Sequence, residues 1–113
     1  VYKLFEFGQE IASKAGFILV DTKYEFGRDE NNNIILIDEL HTCDSSRYWI
    51  KESYQSRFDY GFEPEKLDKD CVRDWVKQHC DPYNDKIPKL PKSIITKAYN
   101  SYKYFYDTLI SSQ

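Results

Sequence analysis

The sequence predicts an α+β fold, a β-hairpin with flanking helices, and three observations lead to it. Apolar residues recur at steps of three and four near both ends of the chain. Between them, Phe17 to Gly27 shows strand-like alternation, followed by a polar run and a second apolar run, Ile34 to Leu40. The length of 113 residues suits one small domain, and 41% hydrophobic with 17% aromatic content fills one core.

Each element has its own warrant. Tyr2 to Ala15 reads as a helix, with Leu4, Phe5, Gly8, Ile11, Ala12 and Ala15 on one stripe. Gly16 ends it, because glycine enters the left-handed conformation at no steric cost. From Phe17 to Gly27 one continuous strand is expected. Its apolar residues Thr22, Tyr24 and Phe26 alternate with Asp21, Lys23 and Glu25. Asp29 to Asn33 is turn chemistry, and Ile34 to Leu40 is the returning strand. His41 to Trp49 is rich in turn and cap residues, with Asp44 placed to cap a helix beginning at Ser45. Tyr54 to Pro64 reads as a loop anchored by Phe58, Tyr60 and Phe62. Asp68 is the expected N-cap of a helix reaching His79, with Cys71, Val72, Trp75 and Val76 on its inner side. Pro82, Pro88 and Pro91 mark a connector. The last helix runs from Lys92 to Ser111 on a stripe of Ile94, Ile95, Ala98, Tyr99, Tyr102, Phe105, Tyr106, Leu109 and Ile110. Tyrosines at that spacing are core residues rather than base-stacking ones.

Composition excludes several classes. Aromatic content this high is foreign to disordered chains. The longest apolar runs, Gly16 to Val20 and Ile34 to Ile37, fall far short of the roughly 18 residues of a membrane span. A net charge of -3 argues against a nucleic-acid partner. Neither a nucleic acid nor a membrane is therefore expected to bind. The chain has no methionine, so Val1 is expected to be a processed end or the start of a fragment. Cys43, Cys71 and Cys80 are odd in number and unpatterned, which suits reduced thiols in a cytoplasmic protein. His41 and Cys43 are spaced like a metal pair and His79-Cys80 is a second doublet, but the four lack the Cys-x-x-Cys spacing usual in a zinc site. The favoured reading is a polar rim for His41 and core thiols for Cys71 and Cys80. The four glycines are scattered and form no phosphate loop.

Two motifs carry chemistry. Asp21, Lys23 and Glu25 share a strand face at i, i+2 and i+4. If the reversal centres between Asn31 and Asn32, Glu25 falls opposite Asp38, where Cβ atoms lie roughly 4.5–5.5 Å apart. Two carboxylates so close repel unless a cation joins them. Mg²⁺ suits that pair, since it takes one or two carboxylates, waters and substrate phosphates. Lys23, one step along, is placed to hold a phosphate oxygen, as at the phosphate end of an ATP site. The bland alternative is a solvated strand face. Against it stands the Asp38-Glu39 pair, which ends an otherwise apolar strand. The second motif is Asp44-Ser45-Ser46-Arg47. Free amides and serine hydroxyls at a helix start bind anions, and Arg47 adds a planar fork for phosphate or carboxylate. Its alternative is an ordinary capped turn with Arg47 paired to a nearby acid.

The strings GFILVDTKYEFG, residues 16–27, and LIDELHTCDSSRYW, residues 36–49, closely resemble the SAICAR synthetase family, the phosphoribosylaminoimidazole-succinocarboxamide synthases. The resemblance extends to Leu4-Phe5-Glu6-Phe7-Gly8, to the Leu67 to Trp75 segment and to the final helix. It implies that residues 1–113 are the C-terminal portion of an ATP-grasp-related fold, the hairpin joining a larger sheet in the intact protein. It implies an ATP- and Mg²⁺-dependent ligase of purine synthesis. That enzyme joins carboxyaminoimidazole ribotide to L-aspartate through an acyl phosphate. Carried over by motif, Lys23 would meet ATP phosphates, and Glu25 and Asp38 would bind Mg²⁺ with Glu39 nearby. Asp44, Ser45, Ser46 and Arg47 would serve the ribotide or aspartate, Arg47 at the ribotide phosphate. The family commonly has proline where Cys43 stands. Its N-terminal region, with a glycine-containing hairpin over ATP, lysines and the base pocket, has no counterpart here. The chain alone is therefore expected to be catalytically incompetent, its missing partner being that region. The competing expectation is a non-catalytic module that keeps the fold for assembly or binding.

Overall fold

The computed structural model describes residues 1–67 and 70–113. Its elements, in chain order, are α1 (Tyr2–Lys14), β1 (Phe17–Thr22), β2 (Glu25–Arg28), β3 (Ile34–Ile37), β4 (Ser46–Ile50), α2 (Lys51–Asp59), α3 (Asp70–His79) and α4 (Lys92–Ser111). The architecture is α+β, with two small antiparallel sheets, β1-β4 and β2-β3. Among the described residues no helix is long and apolar enough to cross a membrane.

The first helix forms as its stripe predicts. Gly8 and Ala12 are buried, and Gly16 follows the last turn at φ +83°. Gly8 also permits a close approach: a Cβ there would stand 2.7 Å from His41 Cε1 and 2.8 Å from Leu19 Cδ2. The core lies where α1 and α4 meet the β1-β4 ribbon, and its buried members include Ala12, Phe17, Leu19, Tyr48, Leu67 and Phe105. Phe17 and Phe105 stack at 5.3 Å between ring centroids, and Tyr48 sits 4.5 Å from Phe105. Full burial of Phe17 and Leu19 contributes about 1.5–3 kcal/mol each.

The single strand expected from Phe17 to Gly27 is two strands in two sheets. Lys23 and Tyr24 break it, which lets β1 pair with β4 and β2 with β3. Within β1 the register slips between Leu19 and Asp21. This bulge matters for function. Phe17 and Leu19 face the core, so strict alternation would bury Asp21 with them. One extra residue reverses the facing. Thr22 then meets buried Ser46 on the inside, and Asp21 meets Arg47 outside.

The hairpin register also departs from expectation. Glu25 is paired with Ile37, not with Asp38, so the reversal centres on Asn31 rather than after it. Asp29 causes the difference. Its carboxylate accepts the backbone N–H of Asn31 and of Asn33, and Asn32 takes φ +65°. This asparagine-rich turn, residues 29–33, is one residue shorter than the expected register requires.

Three further expectations are corrected. No helix begins at Ser45: Ser46 opens β4, whose alternating burial fits a strand, and Asp44 is no helix cap. Tyr54 to Pro64 is helical at its start, since α2 reaches Asp59, and Trp49, Tyr54 and Phe58 stack in series along it. Phe58, Tyr60 and Phe62 are not buried anchors, being 65–79% exposed, although Phe58 stacks on Tyr54. On α4 only part of the stripe turns inward. Phe105 is buried, whereas Ile95, Tyr99, Tyr106 and Ile110 are more than half exposed. The helix α3 ends at His79 with Val76 buried, as its pattern requires. Asp68, its expected cap, lies outside the described residues.

Candidate functional site

An open cleft of about 530 Å³ runs beside the end of the hairpin. Four segments line it. The end of β1 and the break after it give Asp21, Thr22 and Lys23. The turn after β3 gives Asp38 and Glu39. Asp44, Ser45, Ser46 and Arg47 come from the entry to β4, and Asp70 and Arg73 from the first turn of α3. Six of the seven residues singled out by sequence therefore meet at one place. The seventh, Glu25, is attached to it through Lys23, whose ammonium contacts the Glu25 carboxylate at 2.5 Å.

That contact, helped by the charges of Glu25 and then Asp38, raises the Lys23 pKa above its ordinary value. Lys23 is thus a secure cation with both acids in electrostatic reach, although the ladder does not set them opposite each other. The strand break makes this possible: Lys23 leaves the sheet, and Asp38 leaves β3 at φ +68°. The pairing predicted from register is absent from the ladder, and what Glu25 and Asp38 share is Lys23 as an electrostatic neighbour.

The turn from Asp38 to Ser45 is heavily bonded. Thr42 Oγ1 donates to Glu39 Oε2 at 2.7 Å and accepts the backbone N–H of Ser45 at 3.1 Å. Ser46 is buried, with its hydroxyl 2.7 Å from Thr22 Oγ1, so it ties β4 to β1 more than it faces a ligand. Tyr102 of α4 donates to Asp44 at 3.3 Å. Burial first, then the Asp44 charge, pushes that phenol up to about 12. Arg47 lies 3.7 Å from Asp21, a loose and solvent-exposed pair that leaves the guanidinium able to take a ligand.

Behind the turn, His41 sits at φ +55°. Its Nε2 is 2.6 Å from the Tyr24 hydroxyl, and its carbonyl accepts from buried Tyr48 at 2.6 Å. Burial lowers the His41 pKa and raises that of Tyr24, so the two meet as neutral imidazole and phenol.

Sequence reasoning missed Asp70 and Arg73, which bond to each other at 3.2 Å. The signal was the family resemblance running through Leu67 to Trp75, together with an acid and a base one helical turn apart. Among the described residues five acids and three bases line the cleft, a mixture suited to phosphates held with a divalent cation. Among the described residues no group of three or more His, Cys, Asp or Glu gathers in a way that could hold a metal. Cys43, Cys71 and Cys80 form no disulfide among the described residues.

Comparison with known proteins shows which proteins the chain is similar to in sequence and fold. The chain is 51% identical over 111 residues to a chloroplastic phosphoribosylaminoimidazole-succinocarboxamide synthase of Arabidopsis thaliana, covering 97% of this chain and 27% of that protein. Its fold matches a SAICAR synthase of Saccharomyces cerevisiae solved with SAICAR, at a TM-score of 0.72 and 34% identity, covering 98% of this chain and 36% of the other. It also matches a type-2 SAICAR synthetase solved with ADP, at a TM-score of 0.59 and 28% identity, covering 92% and 32%. The chain thus spans about a third of the length of these relatives. With the family pattern matched over residues 1–90, this chain belongs to the SAICAR synthetase family.

Proposed function

We propose that this chain is part of an ATP-dependent carbon–nitrogen ligase of purine biosynthesis, joining carboxyaminoimidazole ribotide to L-aspartate. One observation carries the reading: Lys23, Asp38, Glu39 and Arg47 line a single cleft. A relative solved with SAICAR and another solved with ADP support it. In the reaction, the ribotide carboxylate attacks the γ-phosphorus of ATP, giving an acyl phosphate and ADP. The aspartate amine then attacks the carbonyl carbon, the new C–N bond forms, inorganic phosphate leaves and the amine loses a proton.

Lys23 would hold a phosphate oxygen of ATP, and Arg47 the ribotide phosphate through its planar fork. Asp44 and Ser45 would bound the ribotide or aspartate end, with Ser46 bracing them. Glu25 and Asp38 would hold Mg²⁺, with Glu39 beside them. The donor set fits, because Mg²⁺ uses one or two carboxylates and fills its shell with water and phosphate oxygens. When bound, the ion would offset charge on the transferring phosphoryl group. The rest of the protein would supply the nucleotide-base pocket, and cysteines outside disulfides suit a cytoplasmic enzyme.

The test uses the full-length protein with both substrates. Arg47→Ala is expected to raise the KM for the ribotide about 10- to 100-fold, the worth of charge-assisted hydrogen bonds, and to leave the KM for ATP nearly unchanged. Equal effects on both would contradict the placement. A protein that binds ADP yet forms no product under any condition would favour the non-catalytic module.

A further inference from the structure

The acids on the cleft stand on a turn whose backbone is not relaxed. Asp38 and His41 are both left-handed, at φ +68° and +55°, and neither is glycine. Such residues cost of order 1–3 kcal/mol each and persist only where their surroundings hold them. Asp38 and Glu39 line the cleft, whereas Tyr24 and His41 do not.

What holds the turn is visible from three sides. The Tyr24 hydroxyl bonds His41 Nε2 at 2.6 Å, and the two rings meet edge-on at 5.5 Å. Tyr48, anchored in the core, donates to the His41 carbonyl. The His41 ring also fills the space left open by Gly8 of α1. Tyr24 itself lies at the break between β1 and β2, directly between Lys23 and Glu25. One contact therefore ties the Lys23–Glu25 segment to the Asp38–Glu39 turn.

We propose that Tyr24 and His41 form a positioning clamp, a phenol–imidazole hydrogen bond that sets the Asp38–Glu39 carboxylates against the Lys23–Glu25 segment. This rests on the reading of the cleft as a magnesium–nucleotide site. Neither residue touches the ligand, and both act through the acids they align. Support of this kind around metal-binding carboxylates is worth about 10- to 100-fold in affinity.

The experiment measures ADP binding to the full-length protein by calorimetry, with Mg²⁺ and again in EDTA. Tyr24→Phe removes only the hydroxyl and is expected to weaken ADP binding about tenfold with Mg²⁺ while leaving the EDTA value unchanged. His41→Gly relieves the backbone and removes the ring, and the same loss is expected. The double variant should lose no more than either alone, since the two act as one unit. Wild-type affinity with Mg²⁺ in Tyr24→Phe or in His41→Gly overturns the clamp, as does an equal loss in EDTA. Asp38→Ala separates the two readings. If it abolishes the Mg²⁺ effect while Tyr24→Phe does not weaken it, only the clamp falls. If it changes nothing, the metal reading fails and the clamp with it.

Discussion

Single atoms decide much of the cleft, beginning with one that glycine lacks. A Cβ at Gly8 would press on the His41 ring and on Leu19. Alanine would gain about 0.5–1 kcal/mol of helix propensity. Overpacking against a ring bonded to Tyr24 costs about 1–3 kcal/mol, so the clash wins. Gly8→Ala should lower the urea midpoint without changing the slope; an unchanged or raised midpoint would show that the ring yields freely. His41 gives a pH test. Burial lowers its pKa from 6.5, so the unfolded chain binds that proton more readily than the folded one. Its contribution to stability therefore falls as pH drops below about 6.5. The stability difference between wild type and His41→Gln should shrink between pH 7.5 and pH 5.5, followed by chemical denaturation. A difference that stays constant or widens would contradict the sign.

Among the elements, the β2-β3 hairpin is the least satisfied. Phe26 and Leu36 are paired on one face, Ile35 and Ile37 stand on the other, and Phe26, Ile34, Ile35 and Ile37 are 42–70% exposed. An apolar two-stranded ribbon with open edges is a template for further pairing. The isolated chain is expected to self-associate as concentration rises, and Ile34→Lys with Ile35→Lys should reduce this in sedimentation runs. Equal association of both proteins would place the contact elsewhere. The hairpin, α1, α3 and α4 were legible from periodicity and from the asparagine-rich turn. Four features were not. The Val20 bulge and the break at Lys23-Tyr24 are choices of partner strand, which no local pattern encodes. The one-residue register shift arises from the Asp29 carboxylate bonding backbone N–H groups inside the turn. Helix α2 has no buried residue and no clear apolar face, so its sequence offered no period to read. Six of the seven candidate residues nonetheless line one cleft, although the strand geometry first drawn for them differs.

For the whole molecule, surface area is the informative quantity. The chain exposes 8584 Å², against about 6,500 Å² for a compact protein of its mass. Its radius of gyration is 16.9 Å, against about 13 Å for a compact chain of this length. The hairpin faces and the outer stripe of α4 make up part of that excess. Relatives about three times as long have the chain to cover such surfaces. The 113 residues alone should therefore form no product in an assay where the full-length protein does, since phosphoryl transfer depends on a full set of positioning groups. Turnover by the isolated chain would contradict this. The central claim is that the cleft acids and Lys23 hold the phosphate end of a magnesium nucleotide. Calorimetry of Mg·ADP on the full-length protein and its Asp38→Asn variant tests it most directly, because the substitution keeps the shape and removes one charge. The account predicts a loss of at least about tenfold that disappears when EDTA replaces Mg²⁺. Equal affinity of the two proteins for Mg·ADP would contradict it.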